Sequence, residues 1–172
     1  MPAVPSAMLP LGTPLPGFSL PDTEGGRVTS HELEGRAGVL VMFLCNHCPY
    51  VKHLAEALAR TGREAMEKGV GVVAIMSNDV ARYPADSPEA MARAREAWGW
   101  TFPYLYDETQ EVARAFQAAC TPDFFLFDAE GKLAYRGQYD ASRPGNDVPV
   151  TGDALEAALE AVLAGEVVGG EQ

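Results

Sequence analysis

Two uninterrupted apolar runs constrain the fold of this 172-residue chain more than any other feature of its sequence. Residues 38–44 and 70–76 contain no polar side chain, which is typical of strands buried on both faces of a sheet. Between them, residues 51–68 carry apolar side chains at i, i+3, i+4 and i+7, with charged residues on the opposite face, the pattern of an amphipathic helix. This order predicts parallel strands joined by a helical crossover.

The rest of the chain continues the alternation of strands and helices. Ser87 stands before Pro88, which predicts a helix with Ser87 as its N-cap, ending near Gly99. Asp153, followed three residues later by Glu156, predicts the N-cap of a last helix. The other expected elements are strands at 104–106, 124–127 and 133–136, a helix at 108–119, and an N-terminal hairpin made of 18–20 and 27–29.

These elements predict one α/β domain spanning residues 1–172, with a central mixed sheet flanked by helices on both faces and an N-terminal β-hairpin extension. Residues 1–14 are expected to form an extended N-terminal tail. The segment before Gly17 holds five prolines and no Lys or Arg, so it lacks the charged start and continuous apolar core of a signal peptide. We therefore expect a cytoplasmic protein.

Composition and charge exclude several classes of function. The formal net charge of −11 repels phosphates and anionic lipids, so neither a nucleic acid nor a membrane is an expected partner. No apolar stretch approaches the roughly 20 residues that a membrane-spanning helix needs. The sequence contains neither the glycine fingerprint of dinucleotide-binding folds nor a phosphate-binding loop. We expect no organic cofactor.

The three cysteines, Cys45, Cys48 and Cys120, are too few for a disulfide scaffold. Two residues separate Cys45 from Cys48, and the pair lies where a buried strand ends and a helix begins. Free N–H groups at a helix start favour a thiolate. We expect Cys45 to be the exposed, attacking thiol and Cys48 to resolve the mixed disulfide. A protonated His47 between them would stabilise the reduced form, which predicts a reduction potential above about −270 mV, the value of thioredoxin.

Two other interpretations of the cysteines remain open. A Cys-x-x-Cys pair can be half of a zinc site, with Cys120, His31, His47 or His53 as further ligands, although none of these forms a second close pair. The two cysteines can also be inert core residues. The strand-to-helix position favours redox chemistry, and we predict no metal site.

The stretches CNHCPYVKH and CTPDFFLFDAEGK resemble the thioredoxin-like superfamily, and more narrowly its redoxin branch of AhpC/TSA-related, peroxiredoxin-like proteins. The resemblance implies that the Thr121–Pro122 bond is cis and that both residues bind the substrate backbone beside the dithiol. The dipeptide alone predicts a trans bond, because only about 5–6% of such bonds are cis. Asn46 and Pro49 belong to the same motif and are expected to support the site.

The resemblance is compatible with two mechanisms, disulfide exchange and peroxide reduction. In the peroxiredoxin frame Cys48 would be the peroxide-reacting sulfur, but Pro122 stands where those proteins place an arginine. We therefore predict a thiol–disulfide oxidoreductase acting on a protein or small-molecule disulfide with an unidentified thiol reductant or oxidant. The first alternative is a hydroperoxide-reducing thiol peroxidase working through Cys48, and the next is a non-catalytic or metal-holding module.

The sequence departs from the thioredoxin pattern in two places. Leu44 stands where thioredoxins carry a tryptophan, and residues 39–44 contain no acid that could move protons to the second cysteine. We expect His47, Asp79, Asp123 or water to take that role. Cys120, beside the Thr121–Pro122 pair, is either a buried small residue or an additional redox thiol.

Overall fold

The computed structural model describes residues 9–118, 121–140, 142–166 and 168. Its seven strands are β1 (Ser19–Pro21), β2 (Arg27–Thr29), β3 (Gly38–Phe43), β4 (Val70–Met76), β5 (Tyr104–Tyr106), β6 (Asp123–Phe127) and β7 (Leu133–Gly137). Its α-helices in the described part are α1 (Pro49–Glu67), α2 (Pro88–Trp98), α3 (Glu111–Phe116) and α4 (Asp153–Leu163). Short 3-10 turns lie at Ser30–Leu33 and Pro84–Asp86.

The central sheet has the strand order β5-β4-β3-β6-β7, and β1 pairs with β2 in a separate antiparallel hairpin. Strand β3 runs parallel to β4 and antiparallel to β6, so Val41 lies between Val73 and Phe125 in the register. Strand β4 is parallel to β5, whereas β6 and β7 are antiparallel. The predicted α/β fold with a mixed sheet and an N-terminal hairpin is confirmed.

Alternate residues of the central strands feed two cores on opposite faces of the sheet. On one face, Leu40 and Met42 pack with buried residues of α1, α2 and α4. On the other, Val41 and Phe43 pack with Phe116 of α3 and with the N-terminal hairpin. Both faces of β3 and β4 are therefore covered, which explains why their sequences lack polar side chains.

Helix α3 is shorter than the predicted span 108–119. Gln110 and Gln117 bound it in the left-handed backbone region, with φ angles of 65° and 56°. The buried carboxylate of Asp107 accepts hydrogen bonds from the N–H groups of Val112 and Ala113, 3.4 and 3.0 Å away. This side chain satisfies the first turn from outside the helix and fixes where it starts.

The last helix also starts differently from the prediction. Gly152 is its N-cap, and Asp153 occupies the first helical position, where its Oδ1 accepts from the N–H of Ala154 at 2.9 Å. Gly152 has a φ of 70°, and a Cβ atom there would lie 2.6 Å from Cζ of Tyr139. The close packing against Tyr139 requires glycine at the cap, which moves Asp153 one position into the helix.

Residues 9–14 lie against the turn between β6 and β7. Leu9 is buried, and the N–H of Gly12 and the carbonyl of Thr13 bond to the backbone of Leu133 at 2.8 Å each. Residues 1–8 of the predicted tail lie outside the described residues. None of the described helices is long and apolar enough to span a membrane.

Candidate active site

The two cysteines lie between β3 and α1, at the carboxyl end of the central strand. Pro49 is the first residue of α1 and Cys48 is its N-cap. Proline lacks an N–H and has a fixed φ, so it is favoured at the first helical position and sets the start of the helix there. The helix N-terminus therefore lies at Cys48. We predicted that its N–H groups would act on the sulfur of Cys45, three residues earlier.

The exposure of the cysteines also differs from the expectation. Cys45 is 0% exposed and Cys48 is 3% exposed, so neither thiol lies open to solvent. Cys45 was expected to be the exposed thiol, and this is wrong, because it follows directly on the buried Leu44 at the end of β3. Both cysteines belong to the core cluster on the α1 face of the sheet.

The two thiols differ in acidity because one donates a hydrogen bond to the other. A hydrogen bond from the Cys45 side chain, together with the N–H groups of Val51 and Tyr50, lowers the pKa of Cys48 to about 5, against the effect of burial. Neither N–H meets the geometry of a capping hydrogen bond, but both favour negative charge on the sulfur. The same Cys48 interaction and burial raise the pKa of Cys45 well above its usual range.

Thr121 contacts both sulfurs. Its peptide bond to Pro122 is cis, as the resemblance implied and the dipeptide alone did not. The hydroxyl oxygen of Thr121 lies 3.3 Å from Sγ of Cys45, and its carbonyl oxygen lies 3.6 Å from Sγ of Cys48. The hydroxyl can donate to a Cys45 thiolate, whereas the carbonyl accepts from a Cys48 thiol. Thr121 thus accommodates the dithiol with its proton on either sulfur.

A residue that we did not predict connects to the loop between the cysteines. Asp86, at the end of the Pro84–Asp86 turn, is 0% exposed. Its Oδ1 accepts from the N–H groups of Asn46 at 2.7 Å and His47 at 3.3 Å. Its Oδ2 lies 2.5 Å from Nδ1 of His47 and accepts from Nδ2 of Asn78 at 3.0 Å. Four donors therefore surround one buried carboxylate, as burial of a charge requires.

His47 is held on two sides. Its ring stacks on Tyr83 at a centroid distance of 4.8 Å and an interplanar angle of 6°. With Nδ1 bonded to Asp86, the other ring nitrogen, Nε2, is buried and has no hydrogen-bond partner among the described residues. One ring nitrogen of His47, one oxygen of Asp86 and Sγ of Cys45 all lie within 4.8 Å of one another. The imidazole is therefore fixed close to the buried thiol.

Asn46 ties the loop to the sheet. Its side-chain amide donates to the carbonyl of Ala85 at 2.9 Å and accepts from the hydroxyl of Tyr104 at 2.9 Å. Burial first, and then the nearby Cys45 and Asp86, raise the pKa of the Tyr104 hydroxyl well above its usual range. Tyr104 consequently remains a neutral donor.

A family model of the AhpC/TSA family matches residues 11–136, which include both cysteines, Asp86 and the Thr121–Pro122 pair. The chain belongs to the AhpC/TSA family.

Solved structures agree with the fold. An uncharacterized conserved protein of Geobacillus kaustophilus is 52% identical, with a TM-score of 0.96 over 100% of this chain and 92% of that chain. The thioredoxin domain of a thiol-disulfide oxidoreductase from Bacteroides vulgatus is 20% identical, with a TM-score of 0.63 over 78% of this chain and 90% of its own. The predicted thioredoxin-like fold is confirmed.

Two curated proteins resemble this AhpC/TSA chain more distantly. The thiol-disulfide oxidoreductase ResA of Bacillus subtilis is 28% identical over 122 residues, which are 71% of this chain and 64% of ResA. A Mycobacterium tuberculosis protein named provisionally as a peroxiredoxin is 26% identical over 147 residues, 78% of this chain and 88% of its own. The match thus spans less than two thirds of the length of ResA.

The other predicted residues of this AhpC/TSA site have different outcomes. Asp79 is exposed, and its carboxylate accepts from the N–H of Ala81 within its own turn. Asp123 is buried at the start of β6, opposite Phe43. Cys120 lies outside the described residues, so its role stays a prediction. Asp86 was missed because in sequence it is one acid in the turn-like stretch PADSP.

Cys45, His47 and Asp86 are all potential metal ligands. Zinc normally takes four ligands, and the described residues offer three within reach of one ion. An ion held by this set would also compete with the four hydrogen bonds that Asp86 accepts. The three residues fit a hydrogen-bonded network better than a metal centre.

Proposed function

We propose that this protein is a thiol–disulfide oxidoreductase that exchanges electrons between the Cys45/Cys48 dithiol and a disulfide of a protein or small molecule. The observation that carries the proposal is the position of both sulfurs against Thr121, with Cys48 at the N-terminus of α1. A thiolate favoured at a helix start, with a second thiol beside it, is the chemical requirement of disulfide exchange.

In the oxidising direction for the protein, the Cys48 thiolate attacks one sulfur of the substrate disulfide, and the other substrate sulfur leaves as a thiolate. Cys45 then loses its proton and attacks Cys48, which forms the Cys45–Cys48 bond and releases the second substrate thiolate. Two protein thiols are oxidised and one substrate disulfide is reduced. The order reverses our sequence expectation, since the helix N–H groups face Cys48.

The redox properties follow from the same residues. The lowered pKa of Cys48 stabilises the thiolate and with it the reduced form, so we propose a reduction potential above about −270 mV. The similarity to ResA, whose name describes a thiol-disulfide oxidoreductase, supports the proposed function. A cytoplasmic location and an unidentified thiol partner remain parts of the proposal.

A redox titration in glutathione buffers tests the proposal. At each potential the thiols are trapped by alkylation, and mass mapping identifies the state of Cys45, Cys48 and Cys120. We expect a two-electron transition that joins Cys45 to Cys48, with a midpoint above about −270 mV. If these two residues form no disulfide at any potential, the oxidoreductase proposal is wrong.

A thiol peroxidase is the second candidate, and one observation favours it. Cys48, which the peroxiredoxin frame aligns with the peroxide-reacting sulfur, is the thiol whose pKa is lowered, to about 5. Against it, the resemblance to peroxiredoxins puts Pro122 at the place where those proteins carry an arginine. Rapid consumption of hydrogen peroxide, with a sulfenic acid trapped on Cys48 in the Cys45→Ser variant, would favour the peroxidase.

A further inference from the structure

The buried carboxylate of Asp86 reaches the dithiol loop from another part of the fold. Thioredoxins use an acid on the strand before the dithiol, and β3 offers none. Asp86 comes instead from the connection between β4 and α2, about 40 positions further along the chain, and is bonded to both residues between the cysteines. A fully buried charge is costly unless it is well satisfied, which makes this placement a specific feature of the site.

The geometry of His47 indicates the role of this carboxylate, which is to orient the imidazole ring. The hydrogen bond to Asp86 occupies Nδ1, so in the neutral ring the proton resides there and Nε2 carries the lone pair. The Tyr83 stack prevents the ring from turning away. Nε2 is buried without a partner among the described residues, and one nitrogen of the ring lies within 4.8 Å of Sγ of Cys45. An oriented acceptor this close to a buried thiol can take its proton as a general base, directly or through one water.

We propose that Asp86 is a positioning residue, which holds His47 at Nδ1 so that Nε2 takes the proton of Cys45 when the protein disulfide closes. The inference rests on the proposed disulfide exchange. In the mixed disulfide, Sγ of Cys48 is bonded to a substrate sulfur and Cys45 is a thiol. The proton moves from Sγ of Cys45 to Nε2, the new thiolate attacks Sγ of Cys48, and the electron pair of the broken bond leaves on the substrate sulfur.

The surroundings of Cys45 explain why it needs a base. Its neighbours Cys48 and Asp86 bring negative charge, and both raise its pKa together with burial. Among the described residues, Tyr104 of β5 and Tyr83 are further ionisable groups that contact this network, and the acid Asp123 lies opposite Phe43 at the start of β6. Arg82 lies 5.9 Å from the Tyr83 ring and is exposed to solvent.

The test separates the two sulfur-transfer steps with 5,5′-dithiobis(2-nitrobenzoate). Reduced protein carrying Cys120→Ser, so that two thiols remain, should release one thionitrobenzoate on attack and a second on closure of the Cys45–Cys48 bond. Thionitrobenzoate leaves without needing a proton because its thiol is acidic. The pH dependence of the second phase therefore reports the deprotonation of Cys45.

We expect Asp86→Asn to slow the second phase at least about tenfold and to move its pH profile, with the first phase changed less than about threefold. This corresponds to roughly 1.4 kcal/mol for each factor of ten in rate. Asp140→Asn is the matched control, because Asp140 is an equally buried carboxylate whose bonds are to its own loop. It should slow neither phase selectively, so the ratio of the two rates should stay the same.

The double variant distinguishes positioning from general support. If Asp86 acts through His47, then Asp86→Asn should add little to the effect of His47→Gln, since the two residues work as one unit. Additive effects, equal slowing of both phases, or an unchanged second phase would overturn the inference. His47→Gln alone carries the test if Asp86→Asn does not fold. Failure of the proposed function would look different, since the unsubstituted pair would then release no second thionitrobenzoate.

Discussion

Two loops of this fold are each built around a buried aspartate. Asp86 in the β4–α2 loop and Asp140 in the β7–α4 loop are 0% and 2% exposed. Asp140 accepts from the N–H groups of Ser142, Thr151 and Gly152 at 2.9, 2.8 and 2.7 Å, all within its own loop. The donors to Asp86 include both residues between the cysteines. The same buried group therefore shapes a loop in one case and reaches the redox site in the other.

The Asp140 loop acts on the site indirectly, through helix α1. His53 of α1 bonds to the buried hydroxyl of Ser142 at 2.7 Å, and the guanidinium of Arg143 lies 4.7 Å from the centroid of the Tyr50 ring. These contacts fix the first turns of α1, whose N-cap is Cys48. Comparing the two loops teaches that burial of a carboxylate does not itself indicate function, and that the location of its donors does.

The largest expected effect is on folding, from Asp140→Ala. Three backbone N–H groups lose their acceptor, and an unsatisfied buried polar group costs about 1–3 kcal/mol. We expect the free energy of unfolding of the reduced protein to fall by about 3–5 kcal/mol in urea denaturation, with the Cys45–Cys48 midpoint potential unchanged. Glu160→Ala, on the exposed face of α4, is the control and should change little. A shifted potential with intact stability would contradict the division between the loops.

Gly152→Ala should have the next largest effect. The new Cβ atom would lie 2.6 Å from Cζ of Tyr139, and the backbone φ of 70° adds strain. We expect a loss of about 2–4 kcal/mol in the free energy of unfolding, without an effect on the dithiol chemistry. Gly165→Ala has a similar φ of 72° and open space around it, so it should lose only about 1–2 kcal/mol from the backbone term. Equal losses in the two variants would show that the Tyr139 contact is unimportant.

The elements that position the site could be predicted from local patterns. Strands β3 and β4 and helix α1 follow from apolar runs and helical spacing, because burial on both faces or on one face leaves a direct record in the sequence. The N-cap at Ser87 was predicted from the following proline and is confirmed. The same rule applied to Cys48 and Pro49 places the α1 N-terminus at Cys48, which indicates Cys48 rather than Cys45 as the sulfur at the helix start.

Asp86 could not have been found in this way. Its partners Asn46 and His47 are about 40 positions away in sequence, and their meeting depends on how the β4–α2 loop folds back over the end of the sheet. An acid in the stretch PADSP, followed directly by serine and proline, is typical of turn chemistry. Asp79, which we did consider, is seven residues earlier and forms such a turn. Periodicity records which face of an element is buried, and a loop has no such face.

The acidity of Cys48 gives a smaller effect that sharpens the comparison at the dithiol itself. The first cause of its low pKa is the hydrogen bond from Cys45, so Cys45→Ala should raise the pKa of Cys48 from about 5 towards the usual value near 8.5. The thiolate fraction near pH 6 then falls, and alkylation by iodoacetamide in a Cys120→Ser background should slow by about tenfold. Cys45→Ser keeps a hydroxyl donor and should slow it less. Equal rates in all three proteins would mean that the helix N–H groups and Thr121 set the acidity of Cys48 without Cys45.

Tyr83→Leu should have the smallest effect. It tests whether the ring stack helps Asp86 to orient His47. Stacked aromatic pairs contribute about 0.5–1.5 kcal/mol beyond the area they bury. Without the stack, His47 keeps its bond to Asp86 but gains freedom to rotate. We expect a two- to fivefold slower second phase of thionitrobenzoate release and a loss of about 1 kcal/mol in stability. Tyr83→Phe keeps the ring and should match the parent protein. If the leucine variant also matches it in the second phase, Asp86 alone orients His47, and the positioning role belongs to the carboxylate without the stack.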